Sequence, residues 1–282
     1  MLASVELTAR DGTPHLLVLG HVTRDEVGGQ VRLGGAASYA ALAAARLGIE
    51  TALVTVAPPD DPLLAPLRGA PRLAVHCVPS PVMTTFALTY DGPRRQLVLR
   101  RTAPPLRAAD IPQRWRAATI AYVGPVAGEC DRALLDALGA RFVAAGLQGW
   151  LRRARGGGVE AGVIEPALAP EALQPPRLDA AILSEEDHPD AEAIARRFAA
   201  AGALVAITRG ARGATILEGG TRADIPAAPA VETDPTGAGD VFGVVLALGL
   251  AAGATAREAA VAAAAAAARV VEGAGLGRLG DG

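Results

Sequence analysis

The residues Glu232–Phe242 read E-T-D-P-T-G-A-G-D-V-F and run from a polar, glycine-punctuated turn into the apolar stretch Val241–Leu250. Pro235 fixes φ and cannot continue a preceding strand. Gly237 and Gly239 let the backbone bend and come close to a ligand. The helix that follows opens with N–H groups that have no intrahelical acceptor. Those donors and the positive end of the helix dipole suit an anion, above all phosphate. Asp240 stands at the mouth of that site. A carboxylate repels phosphate, so it makes little sense there as a phosphate ligand. It makes sense as a general base for a hydroxyl that attacks the phosphate, which is phosphoryl transfer. The plainer reading is a capped helix after a glycine-rich turn, with Asp240 merely favourable near the dipole. The motif alone leaves both open.

The elements that must position this chemistry follow from periodicity. Leu16–Gly20 is a short apolar run, a buried strand. Asp25 follows, and E-V-G-G-Q-V-R at 26–32 predicts a hairpin around Gly28 and Gly29. Gly34 and Gly35 open an Ala-rich helix, Ala36–Leu47, closed by Gly48. That glycine pair either lets a small ligand approach the backbone or simply starts the helix. Strands are expected at Thr51–Val56, Leu73–Val78, Thr119–Val123, Phe142–Leu147, Ala180–Leu183 and Leu204–Thr208. Helices are expected at Leu63–Leu67, Asp131–Leu138, Ala191–Ala200, Val241–Ala252 and Ala259–Val271. Thr84–Tyr90 and Gln96–Arg101 flank D-G-P-R as a second hairpin, and Ala214–Glu218 with Arg222–Ile225 form a third. Arg152–Gly158 and Pro166–Pro176 read as loops. Alternating strands and helices after Thr119 argue a parallel sheet, whose ligands collect at the carboxyl ends of strands. That rule brings Glu129 and Gln148 to a pocket as substrate-binding candidates.

The run D-P-T-G-A-G-D-x-F resembles the signature of the PfkB carbohydrate kinase (ribokinase-like) family. L-V-L-G-H-V-T-R-D followed by L-G-G-A-A-S-Y-A-A-L-A-A-A-R-L-G resembles the N-terminal half of the same kinases. The resemblance implies that Asp240 takes the acceptor's proton and that the N–H groups of Gly237, Ala238 and Gly239 hold the developing charge. It assigns Asp25, Gly34 and Gly35 to the acceptor's hydroxyls, and an acidic residue suits that task because it accepts two hydrogen bonds from vicinal hydroxyls. Thr208, Gly210 and Gly213 around R-G-A-R-G, together with Thr236, fall to the nucleotide. S-E-E-D at 184–187 stands where the family has Asn-x-x-Glu tied to Mg²⁺, which assigns metal roles to Asp187 and Glu186. Read without the family, it is an acidic helix start. Asp234, with the loop E-G-A-G-L-G, is assigned to a monovalent cation, K⁺. L-Q-G-W-L-R-R and G-G-A-A-S resemble a subset that includes the myo-inositol 3-kinases. The chain departs from the pattern at Tyr39, where Asn is common, and in the short segment between Asp25 and Gly34.

Composition agrees. The 282 residues are 51% hydrophobic but 3% aromatic, so the core must be Ala, Leu and Val. A formal net charge of −2 gives no electrostatic case for nucleic acid or an acidic membrane. Cys77 and Cys130 form no metal or redox motif, and the start carries no secretory pattern, so a cytoplasmic protein is expected. The sequence holds no Lys, so every phosphate clamp must come from backbone N–H groups, Arg or Mg²⁺. The expectation is one domain over 1–282, a doubly wound, mostly parallel α/β sheet with a small reduced β lid from about 25–33 and 84–101. It would move the γ-phosphate of ATP, with Mg²⁺, to a hydroxyl of a small sugar or inositol-like polyol, as a monomer or homodimer. Rival expectations are a nucleoside kinase of the same fold and a non-catalytic nucleotide or sugar sensor.

Overall fold

The structure is a computed structural model and describes residues 13–91, 94–155 and 162–273. The chain opens with β1 (Leu16–Leu19), β2 (Thr23–Val27) and β3 (Gln30–Gly34), then α1 (Ala36–Arg46) and β4 (Thr51–Ala57). Next come α2 (Ala65–Arg68), β5 (Leu73–Pro79), β6 (Thr84–Asp91), β7 (Arg94–Arg101) and β8 (Ile120–Val123). They are followed by α3 (Arg132–Asp136), β9 (Phe142–Gly146), β10 (Arg152–Ala154), β11 (Gly162–Pro166) and α4 (Pro170–Leu173). The last third holds β12 (Ala180–Ser184), α5 (Ala191–Ala200), β13 (Leu204–Thr208), β14 (Ala214–Glu218), β15 (Thr221–Ile225), α6 (Ala238–Ala251) and α7 (Ala256–Val271).

Nine strands make the main sheet in the order β15-β14-β13-β12-β9-β8-β1-β4-β5. From β5 to β13 every pairing is parallel, and β14 and β15 add an antiparallel edge. The strand order reverses at β1, which has β4 on one side and β8 on the other. A crevice opens outside the carboxyl ends of strands at such a reversal. Strands buried on both faces read as continuous apolar runs rather than alternating ones, and β1 is such a strand. Leu16 and Val18 face the layer of α1, α6 and α7, while Leu17 and Leu19 face Trp115, Trp150 and Phe198. The helical layer is built from small residues, as the composition requires. A Cβ on Gly249 of α6 would fall 2.9 Å from Ala259 Cβ of α7, so that helix pair packs almost backbone to backbone.

A second sheet of six strands, β10-β11-β7-β6-β2-β3, stands beside the first. The sequence predicts the hairpins β2–β3 and β6–β7 but takes Arg152–Gly158 for a loop. Instead Arg152–Ala154 is a strand, and it pairs with β11, which pairs with β7. The sheet expected to be a small lid is therefore larger than a stub of two hairpins. Arg153 of β10 and Arg155 just after it both bond to Glu165 on β11. Cross-strand charge pairs of this kind stabilise a sheet, yet the basic, glycine-rich sequence gives no alternation to betray them. Helix α6 starts at Ala238, three residues before the predicted Val241, so Asp240 lies inside its first turn. The expected loop E-G-A-G-L-G lies mostly outside the described residues, from Ala274 on.

Candidate active site

The crevice at the β1–β8 reversal is floored by glycine. A Cβ on Gly20 would stand 2.3 Å from the Gly124 carbonyl oxygen. Beyond it the chain bends at His21, whose main-chain N–H donates to Glu129 Oε1 at 2.9 Å. The same carboxylate accepts from the N–H groups of Val126, at 3.0 Å, and Ala127, at 2.8 Å. Glu129 is only 2% exposed. Its expected place at the acceptor is thereby corrected: its lone pairs are spent on bracing the ends of β1 and β8 together, because a buried carboxylate requires donors on all sides.

Asp25 hangs from β2, on the lid side of the crevice. Its Oδ1 accepts from Thr23 Oγ1 at 2.7 Å. A Cβ on Gly34 would fall 1.9 Å from Asp25 Oδ2, so the carboxylate rests on the bare Cα of the first glycine of the pair. Gly35, at φ 93°, turns the chain into α1, and a Cβ there would meet the His21 carbonyl at 2.5 Å. One turn later Tyr39 lays its ring on the signature loop: a Cβ on Gly237 would sit 2.3 Å from Tyr39 Cδ1. The left-handed Gly237 (φ 82°) thus caps α6 and accepts the ring, two tasks that both exclude a side chain. Burial, then the charges of Asp25, Asp240 and Asp234, hold the Tyr39 hydroxyl well above its usual range, so it stays protonated as a donor.

At the head of α6 the N–H of Ala238 is turned to the Pro235 carbonyl at 3.2 Å. That corrects its expected part in the anion hole. No heavy atom approaches a Cβ built on Gly239, so open space lies over this part of the first turn. Asp240 is half-buried, and its pKa is pushed up to about 7 by burial first and then by the charge of Asp187, with Arg152 pulling it down and Asp25 pushing it up. A carboxylate so tuned is suited to take a proton near neutral pH. Asp25 is raised by burial and pulled down by the Thr23 hydroxyl and by Arg152. Three carboxylates from β2, the turn after β12 and α6 therefore share one field.

The acidic turn S-E-E-D divides its labour. Asp187 Oδ2 accepts from the Ser184 N–H at 2.7 Å and Oδ1 from Gln148 Nε2 at 3.0 Å. Gln148, expected at the substrate, is thus engaged with the carboxylate next to Asp240. Glu186 is exposed, and Glu185 pairs with Arg209 and Arg212. Asp234 accepts from the Thr236 N–H at 3.0 Å and meets Arg32 of β3 at 3.4 Å. Among the described residues no three His, Cys, Asp or Glu side chains gather closely enough to hold a metal ion. Of Asp187 and Glu186, expected at Mg²⁺, and Asp234, expected at a monovalent cation, Asp187 and Asp234 carry charge into the site.

Where the nucleotide is expected, Thr208 ends β13 in register with Ser184 of β12, next to the acidic turn. Its Oγ1 lies 3.4 Å from the Leu183 carbonyl. Gly210 (φ 54°) faces open space, whereas a Cβ on Gly213 (φ 86°) would collide with the Ile225 carbonyl at 2.0 Å. Gly213 is thus needed for packing of the β14–β15 hairpin, and Gly210 leaves room for a ligand. Arg209 is tied to Glu192 at 2.6 Å and to Glu185 at 3.4 Å, so its charge is spent inside the fold.

Two cations escaped the sequence reading. Arg32 meets Asp234 from β3, and Arg152 of β10 shares the field of the carboxylates without pairing with any of them. The signal for the second was present in L-Q-G-W-L-R-R, but a residue on an unrecognised strand has no predicted face.

Comparison with known proteins follows the same lines. Residues 165–279 match the model of the pfkB family carbohydrate kinases. An inositol 3-kinase of Oryza sativa subsp. japonica is 32% identical over 282 residues, covering 92% of this chain and 69% of that protein. Among solved structures, a pyrophosphate-dependent kinase in the ribokinase family, complexed with a pyrophosphate analogue and myo-inositol, superposes with a TM-score of 0.74. Its identity is 19%, over 91% of this chain and 93% of that one. The ribokinase of Thermotoga maritima gives a TM-score of 0.69 at 18% identity, over 93% and 94% of the two chains.

Proposed function

The chain belongs to the pfkB family of carbohydrate kinases, with the ribokinase-like fold and a sugar or polyol as acceptor; from that premise we propose that it transfers the γ-phosphate of ATP to a hydroxyl of an inositol-like cyclic polyol. The observation that carries the reading is Asp240, tuned to about 7 in the first turn of α6 beside the open face of Gly239. Asp25 holds the acceptor by vicinal hydroxyls, on a seat that the bare Cα of Gly34 makes possible. Asp240 takes the proton of the attacking hydroxyl as its oxygen bonds to the γ-phosphorus. The bond from that phosphorus to the bridging oxygen breaks, and ADP leaves with the electron pair. The unpaired N–H groups of the first turn at Gly239 and Asp240 stabilise the phosphoryl oxygens.

The donor set fits a Mg²⁺ carried in by the donor's phosphates: Asp187 crowds Asp240 with surplus negative charge that a cation would relieve, and hard Mg²⁺ needs only one or two carboxylates beside its waters. Asp187 would hold it, and when bound it neutralises charge on the phosphates. Asp234, whose N–H donates to the Val271 carbonyl at the end of α7, is the candidate for placing K⁺. Thr208, Gly210 and Thr236 border the donor. We read residues 1–282 as one catalytic unit with the six-stranded sheet as lid, in the cytoplasm; among the described residues no helix is long and apolar enough to cross a membrane.

A second donor has a specific observation behind it, since a structural neighbour is a pyrophosphate-dependent kinase. Product release with ATP or pyrophosphate, across inositols, pentoses, hexoses and nucleosides, separates the readings. Turnover of ATP with an inositol is expected. Turnover with pyrophosphate alone overturns the donor, and turnover with nucleosides alone overturns the acceptor.

A further inference from the structure

Arg152 is a charged group of this site with no task in the mechanism above. It enters from β10, four residues after Gln148, the side chain that holds Asp187. Its Nε donates to the Val126 carbonyl at 2.8 Å. Its guanidinium lies over the Phe86 ring, with Cζ 5.0 Å from the ring centroid. Phe86 is 5% exposed and is the direct cross-strand partner of Asp25. Partners in register project from the same face of a sheet, so the guanidinium stands over the lid face that carries Asp25. It is fixed at one nitrogen and over one face. Its two terminal amino groups have no hydrogen-bond partner among the described residues, and none of Asp25, Asp187 and Asp240 comes within ion-pair distance of it. Nevertheless it shares their field: Asp187, Glu129, Asp240 and Asp25 all favour its charge against burial.

A half-buried arginine among carboxylates would ordinarily close a bidentate pair with one of them. Here the brace on Val126 and the Phe86 ring hold it back from all three. The space left between base, acceptor ligand and metal-side carboxylate is where the phosphoryl group must cross. That crossing would be opposed by three negative side chains unless a cation faced it.

We propose that Arg152 is a catalytic residue whose two terminal amino groups grip the equatorial oxygens of the phosphoryl group in transit. The proposal rests on the kinase reading above. In the step, the acceptor oxygen–phosphorus bond forms and the bridging oxygen–phosphorus bond breaks. The proton passes to Asp240, and Arg152 keeps its own protons throughout. It supplies in cis the fixed positive charge that a lysine would otherwise bring, in a chain that has no lysine. The planar fork matters, because it meets two oxygens at once where an ammonium meets one.

The test compares wild type, R152M and R152K in steady state with Mg²⁺-ATP and the best acceptor, with acceptor binding followed by calorimetry. R152M is expected to lose about 10²- to 10³-fold in kcat, the scale for one lost charge-stabilising donor. Acceptor Kd should stay within about threefold, and added guanidinium ion should restore part of the lost rate. R152K keeps the charge and the stem, folds where R152M fails to, and should still lose at least about tenfold in kcat. An R152K enzyme with wild-type kcat overturns the proposal. So does a loss confined to acceptor affinity, which would make Arg152 an acceptor ligand. An inactive wild type removes the kinase reading and this proposal together, whereas an active wild type with an unaffected variant removes this proposal alone.

Discussion

At the scale of residues, the account turns on where each carboxylate finds its donors. Asp240 has few and is raised to about 7, so kcat/KM should climb about tenfold per pH unit below that value and level off above it. A pH–rate profile with no acidic limb between pH 5 and 8 would contradict the tuning. The same shift has a stability sign. Folded Asp240 binds its proton more tightly than an ordinary aspartate, at 3.8, so the folded chain holds the extra proton and loses stability as pH rises from about 4 to about 7. D240N escapes this cost: its Tm should exceed that of wild type at pH 8, with the gap closing towards pH 4. A gap independent of pH would show that the penalty is not electrostatic. Gly34 gives a third expectation. A methyl group there would displace Asp25 Oδ2, so G34A should raise the acceptor KM about tenfold or more while donor KM holds. Unchanged acceptor KM would remove Asp25 from the acceptor. The meeting of Asp25 with the glycine pair was legible in the motif, because the glycine positions tolerate no side chain. Glu129 was not: a carboxylate after a strand reads the same whether it faces a ligand or three backbone N–H groups.

At the scale of elements, the six-stranded sheet is joined to the main sheet by a buried chain of hydrogen bonds. The Ala103 N–H donates to Thr84 Oγ1 at 3.0 Å, and the Thr84 hydroxyl lies 2.8 Å from His21 Nδ1. Since a carbonyl only accepts, His21 Nε2 carries its proton towards the Pro104 oxygen, 3.0 Å away, and Nδ1 receives the Thr84 proton. T84V keeps the shape and strands two buried groups, so it should cost about 1–3 kcal/mol in a denaturant melt. A loss under about 0.5 kcal/mol would mean that the chain does not hold the lid. The main strands and α5 were legible from apolar runs and amphipathic periodicity. β10 and β11 were not, because they gain their order from pairing with β7 and from Glu165, which lies twelve residues beyond Arg153. No local propensity reports a long-range pairing of that kind. Arg152 went unread for the same reason, since its side chain has a direction only once β10 exists.

At the scale of the molecule, the proposed reaction needs one crevice with an acceptor side on β2, a donor side after β12 and β13, and a base at the head of α6, and the topology brings these elements to one end of the sheet. Doubly wound topology was legible from the alternation of elements, and it fixes where that crevice lies. The central claim is that this crevice moves a phosphoryl group from ATP to a polyol with Asp240 as base. Its most direct test is ³¹P NMR of Mg²⁺-ATP and myo-inositol with wild type and with D240N. The account predicts a new phosphomonoester resonance growing with ADP in the wild type, and growth slower by about 10²- to 10⁴-fold in D240N. Intact ATP in the wild-type sample, or equal growth in both, would contradict it.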